Sequence, residues 1–320
     1  FECPHCNELI EQTKKNRVLP RVDCKKCGKP FRTQWAEKPE DVALPRGAVV
    51  SERFELARNF CNKLWNAARF AMLNLEGYTA APVSDAELTV EDRWVLSRLN
   101  TLAAGVTDDL EHYRYADAMR KLYEFAWDEF CSFYVEMVKG RLQDPAQRPT
   151  AQRVLVHTLD TLMRLLHPVM PFITEEIWQR LKEFAPERGL DRPAKAAVSV
   201  MTAQWPEADS RRQDPVIEAR FARFQEMLRG LRDLRAKQNL TPKISIRFSL
   251  KCDAETAALM QPMAPYFGSL AGAEAAAWGP AVKPFETEAT LTLPFGELHV
   301  DLEGLIDIAA EIARKEKERD

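Results

Sequence analysis

The chain lacks the features that would place it in several common classes of protein. No apolar run approaches the roughly 18 residues that a membrane helix requires, and the N-terminus is not patterned like a secretory signal peptide. There is no Gly-rich phosphate loop, no Gly-x-Ser-x-Gly elbow and no His-Glu-x-x-His pair. These absences argue against a membrane protein, a P-loop NTPase, an α/β-hydrolase and a zinc protease. We expect no catalytic residue within this chain.

The chain also lacks an excess of charge of one sign, since its formal net charge is −3. Its basic residues are nevertheless clustered. Residues 1–35 carry eight Lys and Arg against four Asp and Glu, and residues 220–251 carry nine against two. Clustered positive charge is the footprint of nucleic-acid binding. With 46% hydrophobic and 29% charged residues over 320 positions, the composition is otherwise that of a soluble globular protein with two or three domains.

Four of the seven cysteines form two Cys-x-x-Cys pairs separated by 17 residues: Cys3, Cys6, Cys24 and Cys27. This spacing is typical of a closed, structural four-cysteine zinc site. Gly28 can adopt the positive φ that such turns often need. The alternative is a pair of disulfides. His5 lies between two ligands and is expected to be exposed. The remaining cysteines, which we expect to be reduced core residues in a reducing, cytoplasmic compartment, are Cys61, Cys131 and Cys252.

Hydrophobic periodicity predicts a mainly α-helical chain. Residues 1–35 form a small zinc ribbon, and residues 36–50, with Pro39, Pro45 and Gly47, form a linker. Residues 51–185 form a helical bundle of five helices, the second beginning with a capping box and the fifth capped by Thr174. Residues 186–302 comprise a linker and a small α+β module, and residues 303–320 begin a coiled-coil arm. We expect the chain to be a piece of a longer protein.

The first helix of the bundle contains the stretch RNFCNKLWNAARF, residues 58–70. One face is apolar, and another groups Arg58, Asn62, Trp65 and Arg69. Asn and Arg offer paired hydrogen-bond donors, and Trp offers a stacking surface, a combination that suits single-stranded RNA bases. The alternative is that Trp65 packs on a neighbouring helix.

This stretch closely resembles the first helix of the anticodon-binding domain of valyl-tRNA synthetases, a class I family. Residues 166–181 (LHPVMPFITEEIWQRL) resemble the end of that domain, and residues 302–317 (LEGLIDIAAEIARKEK) resemble the start of the family's C-terminal arm. The three stretches occur in the family's order. The family's two ATP-site signatures, His-x-Gly-His and Lys-Met-Ser-Lys-Ser, are absent.

The resemblance implies that the parent is an ATP- and Mg²⁺-dependent valine–tRNA ligase. This chain would hold tRNA(Val) for upstream catalytic and editing domains, in a cytoplasmic monomer. The resemblance assigns RNA contact to two sets of residues. The first, on the first helix, comprises Arg58, Asn62, Lys63, Trp65, Asn66 and Arg69. The second, expected to contact phosphate, comprises Arg229, Arg232, Arg235 and Lys237. The alternative for the second set is a solvated face that only aids solubility.

Two other functions remain open at this point. One is a free-standing zinc-ribbon protein that binds nucleic acid. The other is the equivalent region of an isoleucyl- or leucyl-tRNA synthetase, which shares the helical domain. The sequence Cys-Asn-Lys-Leu-Trp-Asn at residues 61–66 favours the valyl-tRNA synthetases over the isoleucyl and leucyl enzymes.

Overall fold

The structure is a computed structural model that describes residues 1–49, 52–238, 240–241 and 244–305. Contacts divide the chain into two compact units, residues 1–63 and 64–320, with the boundary inside one helix. Among the described residues, no helix is long and apolar enough to cross a membrane. Most of the predicted arm, residues 306–320, lies outside the described residues.

The first unit is a ribbon built on a two-stranded antiparallel sheet. Its elements are β1 (Arg21–Asp23), β2 (Pro30–Arg32), α1 (Pro39–Val42) and the beginning of α2 (Glu52–Leu73). Val22 and Phe31 are paired across the strands and point into the core, where they meet Phe1. The core is small, because few apolar residues are available in this segment to exclude water.

In the predicted linker, residues 36–50, the described residues 45–48 pair with the ribbon. The amide of Arg32 donates to the carbonyl of Pro45, and the amide of Gly47 donates to the carbonyl of Arg32, so residues 45–47 lie beside β2 and form one parallel bridge with it. The site of Gly47 is tight, since a Cβ atom there would lie 2.3 Å from the Phe31 ring. Proline and glycine suggested a flexible connection. Here Pro45 lies in a segment at the edge of the ribbon, where its missing N–H is tolerated, and Gly47 lets the backbone come close to the Phe31 ring.

The second unit begins with a helical bundle. Its helices are α3 (Val90–Glu111), α4 (Tyr115–Glu124), a π-helix (Phe125–Tyr134), α5 (Val135–Met137), α6 (Lys139–Gln143), α7 (Arg148–Leu166) and α8 (Pro171–Phe184). Fourteen of the nineteen residues of α7 are buried, as expected of a helix enclosed on several sides. The predicted capping box at the start of α3 is present, with Thr89 and Asp92 as partners. Helix α8 is present, but the prediction that Thr174 caps it is wrong. The helix begins at Pro171, and the Thr174 hydroxyl donates to the Met170 carbonyl.

A small α+β module follows a short hairpin, β3 (Glu187–Arg188) and β4 (Ala194–Lys195). The module comprises α9 (Pro215–Lys237), β5 (Ile246–Lys251), α10 (Ala254–Met260), α11 (Ala264–Ala271), β6 (Ala273–Trp278), β7 (Glu288–Leu293) and β8 (Gly296–Asp301). The strand order is β6-β5-β8-β7, with β5 and β6 parallel and the other pairs antiparallel.

Helix α9 packs on both the bundle and the sheet module, so the boundary predicted at residue 185 does not separate them. Trp94 of α3 stacks on Phe221 of α9 with ring centroids 4.4 Å apart, and Phe224 meets Phe267 of α11 at 4.8 Å. Arg98 of α3 also binds Glu218 of α9. Aromatic contacts therefore run continuously from the bundle into the module.

Candidate metal centre and RNA-binding surface

The four predicted metal ligands are brought together at one end of the ribbon. All four sulfur atoms of Cys3, Cys6, Cys24 and Cys27 lie within 4.8 Å of one another, and none is in a disulfide. The closest pairs are Cys3 with Cys27 at 3.7 Å and Cys6 with Cys24 at 3.6 Å. The cluster can therefore hold a metal ion.

Each Cys-x-x-Cys pair lies on a tight turn whose next residue has a left-handed backbone. Asn7 has a φ of 56° and Gly28 a φ of 68°. Their amides donate to the carbonyls of Cys3 and Cys24, respectively. Glycine, and to a lesser extent asparagine, tolerates this conformation, so both turns are encoded locally. His5 takes no part in the cluster, because its Nε2 atom lies 3.1 Å from the Pro30 carbonyl.

The ribbon favours the thiolate form at Cys24. Hydrogen bonds from the backbone amides of Cys27 and Lys26 lower the pKa of Cys24 to about 6, although burial opposes the shift. Thiolate is the form that binds a metal ion, so one ligand is prepared for coordination by the turn that carries it.

The predicted RNA-contact residues of the first helix all lie on α2, and most are exposed. Exposed side chains belong to Arg58, Asn62, Asn66 and Arg69, whereas Lys63 and Trp65 are half-buried. The apolar face holds Leu64, Ala68 and Met72, which are buried. The two faces predicted from periodicity are thus distinct.

Trp65 is not a core residue, but one face of its ring is occupied. The guanidinium of Arg180, on α8, lies 5.4 Å from the centroid of the Trp65 ring. Arg180 is held there by an ion pair of 2.6 Å with Glu176, one turn earlier. Arg180 could not be predicted from the sequence, because a cation–π partner 115 positions away leaves no local signal in the chain.

The basic residues of α9 differ in their surroundings. Arg229 and Lys237 are exposed. Arg232 is exposed but donates from Nε and Nη2 to the Leu270 carbonyl. Arg235 is 8% exposed and donates to the carbonyls of Gly272 and Thr241.

Arg232 and Arg235 therefore cap the carboxyl end of α11, as arginine side chains commonly do at helix C-termini. For Arg235 this differs from the predicted phosphate contact, because its guanidinium is enclosed and its donors are in use. Arg229 faces a groove whose other wall carries Glu124, Asp128 and Glu129. Glu124 and Asp128 oppose the approach of a phosphate there, whereas Glu129 is ion-paired with Arg98 at 2.8 Å.

Comparison with known proteins gives a consistent family. The family of anticodon-binding domains of tRNA ligases matches residues 92–250. A valine–tRNA ligase of Rhodopirellula baltica is 53% identical over 319 residues, which is 99% of this chain and 31% of that protein. A valine–tRNA ligase of Geobacter sulfurreducens is 39% identical over 289 residues, which is 89% of this chain and 31% of that protein. The chain belongs to the valyl-tRNA synthetase family.

The family assignment confirms the resemblance inferred from residues 58–70, 166–181 and 302–317. It also confirms the predicted architecture of an anticodon-binding helical domain with a small sheet module. The chain spans about a third of the length of these relatives. A ternary complex of LeuRS from Agrobacterium radiobacter K84 matches 53% of this chain and 18% of that chain, at 18% identity and a TM-score of 0.38. That score is too low to support an inference about the fold.

Proposed function

We propose that this chain is the tRNA-binding part of an ATP-dependent valine–tRNA ligase and that its RNA is tRNA(Val). The observation that carries the proposal is the 53% identity to a valine–tRNA ligase across 99% of the chain. Activation of valine with ATP and Mg²⁺, and editing, would use parts of the protein other than residues 1–320. The protein would act as a monomer in the cytoplasm.

The exposed face of α2 is proposed to read the anticodon. Asn62 and Asn66 each present an amide that can pair with a specific base edge, and Arg58, Lys63 and Arg69 supply positive charge. Trp65 offers a ring on which an unstacked base can lie. Arg180 already covers one face of that ring, so a base would either use the other face or displace Arg180.

The basic residues of α9 are proposed to contribute to phosphate binding in unequal measure. Lys237 is exposed and has no ion pair among the described residues. Arg229 and Arg232 should contribute less to phosphate binding. Acidic side chains share the groove of Arg229, and Arg232 already donates to a backbone carbonyl. Arg235 is left out of the proposed interface, because its side chain is enclosed.

Zinc is proposed as the ion of the four-cysteine cluster. Four thiolates at a zinc–sulfur distance of about 2.3 Å would lie about 3.8 Å apart in a regular tetrahedron. The two closest sulfur pairs, at 3.7 and 3.6 Å, are near this value. All four positions are filled by protein, so the ion would stabilise the fold and would have no open position for catalysis.

The central test compares two substitutions on α2. Trp65→Ala should weaken tRNA(Val) binding by about 1–3 kcal/mol through lost stacking. Asn62→Ala should weaken binding mainly for the cognate anticodon, since an amide recognises particular base edges. Neither change removes charge, so neither should alter the salt dependence of binding. Affinities for tRNA(Val) and for an anticodon-swapped tRNA, at several salt concentrations, give the answer.

Phe172→Ala is the matched control for Trp65→Ala, because it removes an aromatic ring that is 90% exposed on a different helix. It should leave RNA affinity unchanged. Equal losses on both tRNAs for Asn62→Ala, with folding intact, would contradict base reading. A large fall in melting temperature for Trp65→Ala would instead assign Trp65 to helix packing.

A further inference from the structure

Three arginines lie side by side across the ribbon. Arg21 of β1 is directly opposite Arg32 of β2 in the antiparallel register. Arg46, in the third segment, forms a parallel bridge with Arg32. Residues paired in this way project from the same face of a sheet, and the opposite face carries the core residues Val22 and Phe31. We call Arg21, Arg32 and Arg46 the arginine row.

The arginine row is unfavourable for the ribbon by itself. Like charges on directly opposite residues of neighbouring strands destabilise a sheet. Compensation within the described ribbon is slight. Arg21 has one ion pair, with Asp23 at 3.5 Å, and both side chains are more than half exposed, so this pair contributes little. Arg32 and Arg46 have no ion pair with any described residue.

The guanidinium of Arg32 is not fully satisfied within the ribbon. The Nε atom of Arg32 is shielded from solvent and has no hydrogen-bond partner among the described residues. An unsatisfied buried donor costs about 1–3 kcal/mol, and more when it is charged. The Nη atoms of Arg32 are not shielded in this way, so a phosphate would be bound through them.

We propose that the arginine row is a second RNA-binding site, which holds backbone phosphates of the tRNA and does not read bases. The row crosses three segments at strand spacings of about 4.8 Å, so its charges extend over about 10 Å. An extended polyanion matches that length better than a single free phosphate. Planar guanidinium groups suit phosphate recognition. The site rests on the proposed function for the identity of its RNA, but its residues are independent of α2.

The distribution of charge within the ribbon bears on this choice of ligand. Residues 1–49 carry ten basic and seven acidic residues, and four thiolates around a divalent ion would add a charge of about −2. The three guanidinium groups of the arginine row, and not the net charge of the ribbon, attract anions, which favours polynucleotide over a basic or neutral partner. The ribbon would then have a role beyond holding the ion proposed for its cluster.

The test is the triple substitution Arg21→Gln, Arg32→Gln and Arg46→Gln in the full chain. If three phosphates are released, the log–log slope of tRNA affinity against salt should become shallower by about 2–3. The loss should be equal for tRNA(Val) and an anticodon-swapped tRNA. The matched control is Lys14→Gln, Lys15→Gln and Lys25→Gln, which removes the same charge from exposed positions of the same ribbon. Its slope should change by less than half as much.

Three results would overturn the proposal: an unchanged slope in the arginine variant, an equal change in the lysine control, or a loss confined to one anticodon. Bound metal and hydrogen exchange of residues 1–49 show whether the variant ribbon is folded. If it is not, Arg32→Gln alone is measured, with an expected slope change of about 0.7–0.9.

A second readout separates RNA from free phosphate. The guanidinium resonances of Arg32 should shift with micromolar tRNA and not with micromolar inorganic phosphate. A shift with phosphate alone would mean an anion site that RNA does not use. Failure of the α2 variants with an intact arginine-row effect would refute base reading only. Failure of the native chain to bind tRNA would refute the proposed function and this site together.

Discussion

The two units of the chain are stabilised in different ways. The ribbon core comprises five buried side chains, two of which, Cys3 and Cys24, belong to the metal cluster; the others are Phe1, Val22 and Phe31. The second unit has the enclosed helix α7, the stacked Trp94 and Phe221, and an aromatic series that continues to Phe248 and Trp278. One unit has few apolar groups to bury, and the other has many.

This difference determines where the folding free energy comes from. Burial contributes about 25 cal/mol for each Å² of apolar surface removed from water, which favours the second unit. A segment the size of the ribbon cannot offset its loss of chain entropy in this way. Coordination of a metal by four thiolates can offset this loss, since a structural zinc site contributes roughly 10–16 kcal/mol of binding free energy. The ribbon should therefore depend on its ion, whereas the second unit should not.

The largest expected effect comes from breaking this dependence. Cys24→Ser should abolish metal binding and unfold residues 1–49, because three thiolates hold the ion less tightly and little core remains. The second unit should unfold at its usual temperature. Hydrogen exchange resolved by segment, together with metal analysis, measures both effects in one preparation.

Cys61→Ser is the control, since Cys61 lies outside the cluster. It should retain the metal and the protection of the ribbon. If residues 1–49 of the Cys24→Ser variant stayed protected without metal, the ribbon core would be sufficient alone, and the contrast between the two units would be wrong.

The same contrast explains what could be predicted from sequence. The cysteine cluster was predictable because two short spacings and the positive-φ residues after them encode the geometry locally. The capping box of α3 was predictable for the same reason. Helices α3, α7 and α9 were predictable from a 3.6-residue period, since each buries a continuous apolar face.

Long-range contacts were not predictable. Arg235 looked like a phosphate ligand because the Gly272 carbonyl that it binds is 37 positions away in the chain and only the fold brings it near. Arg180 meets Trp65 for the same reason. Strand β6 (Ala273–Trp278) is rich in alanine, a residue depleted in strands, and it is paired because β5 lies beside it. The π-helix, Phe125–Tyr134, follows a pattern that favours one regular α-helix.

A smaller effect distinguishes the units by their response to acid. His157 of α7 has a pKa lowered to about 4, chiefly by burial of its ring and further by the positive charges of Arg164 and Arg212, while Asp160 opposes the shift. The unfolded chain binds a proton near pH 6.5, and the folded chain does so only near pH 4. Between these values the unfolded state holds more protons, so stability falls as pH decreases.

From pH 7 to pH 5 this difference should cost the second unit up to about 2 kcal/mol. Urea unfolding of the chain at the two pH values measures it, with hydrogen exchange to separate the ribbon, whose thiolates also protonate in acid. His157→Gln should remove most of the loss. An identical pH dependence in that variant would mean that other groups of the second unit carry the effect.

Glycine-to-alanine substitutions, one in each unit, should have effects of opposite sign. At Gly47 a new Cβ atom would lie 2.3 Å from the Phe31 ring. The ring fills the small ribbon core and has little room to move, so Gly47→Ala should destabilise the ribbon by about 1–3 kcal/mol.

At Gly140, in α6, a new Cβ atom would have no neighbour within 4 Å, and the backbone is helical. Gly140→Ala should stabilise the second unit by about 0.5–1 kcal/mol, because alanine loses less backbone entropy in a helix than glycine does. Segment-resolved hydrogen exchange of both variants, with metal bound, assigns each change to its unit. A neutral Gly47→Ala would show that the ribbon core can repack around its ion, and the metal would then determine the fold more completely than the packing of Phe31 does.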